Sequence, residues 1–74
     1  MKVGIWDNDW TGEPELVQDG AAELVMIDGQ QVATIHQDEQ GQFHYKSSFS
    51  NLFRSTRQDC IAEGLRGDGY TVYE

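Results

Sequence analysis

The stretch that decides the fold is AELVMI at residues 22–27, DG at 28–29 and QQVATIHQ at 30–37. Asp-Gly between two apolar runs marks a type I′ two-residue hairpin, because both turn positions need positive φ. A two-residue loop pairs Ile27 with Gln30, Met26 with Gln31, Leu24 with Ala33 and Ala22 with Ile35. That register collects Ala22, Leu24, Met26, Ala33 and Ile35 on one face, which is expected to be the core face. Glu23, Val25, Ile27, Val32, Thr34 and His36 fall on the other.

A second hairpin follows directly. With Glu39-Gln40-Gly41 as a three-residue loop and Gly41 left-handed, Asp38 pairs with Gln42, Gln37 with Phe43 and Ile35 with Tyr45. Phe43 and Tyr45 then join the apolar face; a four-residue loop would put them on the opposite one. The same register sets His36 opposite His44 on the outer face.

Outward from this core, Lys2–Trp6 reads as a first strand, with Val3 and Ile5 alternating against Gly4 and Trp6. Residues 7–19 are acidic and turn-rich, with Gly12 and Pro14, and are expected to be a long loop with at most a short strand at Leu16–Val17. Beyond Lys46, Ser50 could cap a helix, or Ser55 with Gln58 could form a capping box. Phe53, Arg57, Cys60, Ile61, Gly64 and Leu65 recur at helical spacing, only the arginine out of character. Gly67 and Gly69 end that helix, and Tyr70–Tyr73 reads as a last strand. The expected fold is one α+β domain spanning residues 1–74, a small antiparallel sheet of four to five strands with one α-helix packed on one face.

A chain of 74 residues buries only about 60–65% of the surface its unfolded form exposes, so the core is thin. The lone Cys60 rules out an internal disulfide and fits a reducing, cytoplasmic setting. The start lacks an apolar leader-like run, and no stretch approaches the roughly 20 residues of a membrane span. The formal net charge is −8, and all of it lies in the first 45 residues, where nine acids face Lys2 alone. Such a field repels nucleic acid and anionic membrane and attracts basic surfaces.

Catalytic motifs are thin. Cys60 sits mid-helix on the inward stripe, where a thiol is structural rather than reactive. No nucleophile elbow, phosphate-cradling glycine loop or paired-cysteine metal motif is present. The protein is expected to be no enzyme and to need no cofactor. Residues 7–12 look like the opening of an EF-hand calcium loop, with Asp7, Asp9, Thr11 and Glu15 as weak metal candidates, but Gln18 stands where the bidentate glutamate is needed. His36 and His44 are close enough across the ladder to share a metal, though no third ligand is evident.

The acids make a better case for binding. In extended chain, alternate carboxylates such as Glu13 and Glu15 lie about 6.6 Å apart, twice the strand rise. Phosphates rise about 3.4 Å each along one DNA strand, so such an array can approximate every second phosphate. Trp6 and Trp10 sit among the acids as candidate interface anchors. The candidate partner-binding set is Trp6, Asp7, Asp9, Trp10, Glu13, Glu15, Asp19, Glu23, Asp28, Asp38 and Glu39.

Small size, the acid-heavy stretch from Asp7 to Glu39, the lone cysteine and the lack of catalytic motifs together resemble the small acidic phage inhibitors of the anti-CRISPR class. It is a resemblance of type. It implies a DNA mimic or steric block on the basic groove of a nucleic-acid-handling complex, such as a CRISPR effector, acting in the host cytoplasm. The second half, from Gly41 through Leu65, is similar to small bacterial β-β-β-α domains. The alternatives are a Ca²⁺- or metal-binding module, and a structural domain that dimerises through an edge strand at Tyr70–Tyr73.

Overall fold

The computed structural model describes residues 1–5 and 10–73. Two antiparallel sheets share one helix, an α+β fold. The five-stranded sheet has the order β3-β4-β5-β6-β7, formed by Glu15–Asp19, Ala22–Ile27, Gln30–Gln37, Phe43–Lys46 and Asn51–Arg54. The three-stranded sheet has β1 (Lys2–Ile5) between β2 (Trp10–Gly12) and β8 (Thr71–Tyr73). The helix α1, Arg57–Gly67, packs against β6, β7 and β8 and so joins the two sheets.

Both expected hairpins form. Asp28 and Gly29 take φ of 51° and 78°, and Gly41 takes 86°. The Asp38 N–H donates to the Gln42 carbonyl at 2.9 Å, and Gln37 pairs with Phe43, Ile35 with Tyr45 and His36 with His44.

The β4 face is a correction. The ladder begins as expected, Ile27 with Gln30 and Met26 with Gln31, but then Val25 pairs with Ala33 and Glu23 with Ile35. Val32 is an extra residue, a β-bulge, and beyond it β4 presents its other face. The core is therefore Val25, Ile27, Ala33, Ile35 and Tyr45, with Val3, Cys60, Ile61 and Leu65, while Ala22, Leu24 and Met26 are only partly buried. The bulge brings the β-branched Val25 and Ile27 onto the same side as Ile35, and the burial gained there outweighs one broken rung of the ladder.

The segment expected to be a loop folds into two strands, β2 and β3. A two-residue turn, Gly20-Ala21 with Gly20 at φ 62°, closes β3 onto β4 with Asp19 opposite Ala22. Positive φ at the first turn position is the type II′ pattern. The helix also starts later than expected. Phe53 lies in β7, opposite His44. Neither Ser50 nor Ser55 is the cap: Thr56 is, its side chain accepting from the Asp59 N–H at 3.2 Å. At the other end Tyr70 N–H reaches the Leu65 carbonyl and Gly69 N–H the Arg66 carbonyl, with Gly69 at φ 97°. That is a Schellman stop.

Candidate functional site

The acids expected to bind a partner divide by what they touch. Trp6, Asp7 and Asp9 lie outside the described residues. Glu13, Glu15, Asp19, Asp28 and Glu39 are exposed, and among the described residues none of them has a cationic partner. Glu15 and Asp19 stand on one face of β3 with Val17 between them, opposite Met26, Ala22 and Leu24 of β4. Asp28 sits in one hairpin turn and Glu39 in the other.

Two acids of the set are engaged inside the fold. Glu23 points inward from β4, where its carboxylate meets the Arg57 guanidinium at 3.0 Å. Arg57 also lies over the Phe43 ring, 5.2 Å from its centroid, which explains an arginine on the inward stripe: its charge is matched and it faces an aromatic ring. Asp38 accepts from the backbone N–H of Gln40 and Gln42 at 2.9 and 3.0 Å and bonds to His44 Nε2 at 2.7 Å. The His44 bond, aided by the two N–H donors, holds the Asp38 carboxyl below its ordinary pKa. Trp10 is half-buried against the core, and Gly12 leaves room for its indole: a Cβ there would lie 2.7 Å from the ring.

His36 and His44 stack, ring centroids 4.8 Å apart and planes within 8°, and Phe53 continues the row at 5.6 Å from His44. Parallel imidazoles direct their lone pairs side by side rather than onto one point, and Asp38 already holds His44 Nε2. Among the described residues no group of three or more His, Cys, Asp or Glu could hold a metal ion. Where the calcium-loop spacing requires a turn, Trp10, Thr11 and Gly12 are extended and paired with Ile5, Gly4 and Val3.

The remaining perturbed groups are held in their protonated forms. Burial raises the Cys60 thiol pKa, and the thiol contacts the Phe43 carbonyl at 3.2 Å. Burial, then the bond to Asp68, raises Tyr45. Asp68 collects three hydroxyls, Tyr45 at 2.6 Å, Ser47 at 2.8 Å and Ser50 at 2.7 Å, and so ties the helix end to the sheet. No helix among the described residues is long and apolar enough to cross a membrane.

A cleft of about 350 Å³ opens between β3 and the start of α1, lined by Met1, Glu13, Pro14, Leu16, Arg57, Gln58 and Ile61. The sequence pointed to the acids but not to this cleft. Its signal was available in Gly20-Ala21, a turn that makes residues 15–19 a strand. Compared with known proteins, the chain matches no family model, no curated protein and no solved structure.

Proposed function

We propose that this protein is a non-enzymatic, acidic binding protein that occupies the phosphate-binding surface of a basic, nucleic-acid-handling protein, in the manner of the anti-CRISPR inhibitors it resembles. The observation that carries the reading is the set Glu13, Glu15, Asp19, Asp28 and Glu39, exposed and uncompensated. Acids kept for fold stability find partners, as Glu23 and Asp38 do; these five leave their field to solvent. Opposed fields speed encounter and make binding fall steeply with salt.

The test is retention from a nuclease-treated lysate of the native host, followed by competition on the recovered protein. The expected partner binds nucleic acid, releases it when this protein is added, and dissociates at high salt. Replacing the five acids by Gln and Asn should weaken binding about tenfold or more, while D59N with E63Q should change it little. A partner that holds nucleic acid and this protein together, or equal losses from both sets of substitutions, would overturn the reading.

A further inference from the structure

We infer that β3 is a strand-addition site for an extended, basic segment of the partner; this rests on the proposed function for the sign of the partner's charge. Among the described residues β3 pairs only with β4, so it presents a row of unpaired N–H and C=O groups. Among the described residues it is the longest open edge, five residues against four in β7 and three each in β2 and β8. Of the usual protections of an edge it carries charge alone, Glu15 and Asp19. Its ladder runs from Glu15 opposite Met26 to Asp19 opposite Ala22 without a bulge, and the strand contains neither lysine nor proline.

The side chains state what such a segment must carry. On the outer face Glu15 and Asp19 flank Val17, which is 39% exposed. A sixth strand places alternate residues against these three, and opposite-charge and apolar pairs stabilise a ladder. Lysine or arginine therefore belongs opposite Glu15 and Asp19, with an apolar residue opposite Val17. On the inner face, the residue opposite Leu16 stands at the 350 Å³ cleft, where Met1, Pro14, Leu16 and Ile61 are apolar and Glu13, Gln58 and the Glu23-paired Arg57 complete the lining. That residue is apolar. The recognised pattern is two basic residues four apart, with adjacent apolar residues at the middle position and beside it. Backbone bonds supply affinity and the cleft supplies selectivity, as in other strand-addition complexes. A second copy fits poorly: antiparallel pairing of two β3 strands about Val17 sets Glu15 against Asp19.

A fluorescent nonapeptide with this pattern, titrated by anisotropy and mapped by amide shifts, tests the inference. It should bind with shifts centred on residues 15–19. A scrambled peptide of the same composition, and one N-methylated at alternate amides, should each bind about tenfold or more weakly. The isosteric pair E15Q and D19N should weaken the patterned peptide without lowering the melting temperature. Equal binding of patterned and scrambled peptides, indifference to N-methylation, shifts elsewhere, or self-association of the chain alone in sedimentation would each overturn it. The two proposals fail separately. A peptide that binds β3 while the recovered partner keeps its nucleic acid sinks only the decoy reading. Competition for nucleic acid that the β3 variants do not affect sinks only the strand-addition site.

Discussion

The ring of Tyr45 packs directly against Gly64: a Cβ built on that glycine would lie 2.3 Å from the ring's Cγ and 2.4 Å from both Cδ atoms. Tyr45 comes from β6 and is fully buried, and Gly64 lies on the inward stripe of α1. The helix approaches β6 as closely as it does because one residue on the stripe has no side chain. Glycine in a helix interior ordinarily costs about 1 kcal/mol relative to alanine. Here the sign reverses. Gly64→Ala should destabilise the fold by about 3 kcal/mol, the upper range of overpacking a core, and lower the melting temperature by more than about 10 °C. Urea titration in the cold measures it. A stabilised Gly64→Ala would mean that the helix sits further from the sheet than described.

The same tyrosine makes stability fall at high pH. Burial and the Asp68 carboxylate raise its pKa above the ordinary value of 10.0, and Tyr70 is raised by the same two causes. Below about pH 10 both rings are neutral in folded and unfolded chains, and the stabilisation is complete. Above it the unfolded chain releases protons that the folded chain retains, so stability declines as pH rises. Tyr45→Phe should cost about 1–2 kcal/mol at pH 7, the loss of a bond to a carboxylate that keeps Ser47 and Ser50. It should also flatten the decline between about pH 10 and 12. Melting curves across that range for both proteins decide it, and parallel curves would refute the assignment to Tyr45.

How much of this was legible in the sequence depends on where each signal lay. Asp28-Gly29 and Glu39-Gln40-Gly41 were readable because their turns demand positive φ, a local requirement written in the residue types. The β4 face was not, because the bulge at Val32 carries no such mark; it follows from which apolar residues meet across two strands and a helix. The β7 strand was hidden because Phe53 stands at helical spacing from Arg57. Of the candidate site, the acids themselves were plain. Which of them are engaged was not: Glu23 finds Arg57 only through the tertiary fold, and Asp38 finds His44 by a diagonal contact within the hairpin.

Asp38 predicts the acid side. Its depressed pKa means that the ionised carboxylate favours the folded chain at neutral pH, and that this contribution is lost as pH falls through and below the ordinary value of 3.8. Asp38→Asn keeps an acceptor for the Gln40 and Gln42 N–H groups but removes the charge beside His44. The variant should melt lower at pH 7 and show a shallower drop in melting temperature between about pH 5 and 3. An unchanged acid profile would mean that the His44 contact contributes nothing in solution.

Cys60 reports on the opening of the whole core. Its thiol is fully buried, its pKa is raised by that burial, and it lies between the helix stripe and the Phe43 carbonyl. A thiol reagent needs the thiolate and needs access, and the folded chain denies both. Labelling by a chromogenic disulfide at pH 8 should therefore be slow, first order in protein, and, with opening at equilibrium, proportional to the open population and to reagent concentration. Because Gly64 and Cys60 share one helix face, Gly64→Ala should accelerate labelling by about a hundredfold, the factor that roughly 3 kcal/mol implies when opening is at equilibrium. Rapid labelling of the unaltered chain without denaturant would show instead that α1 leaves the sheet independently of the hairpins, and would separate the helix from the strands as a unit of stability.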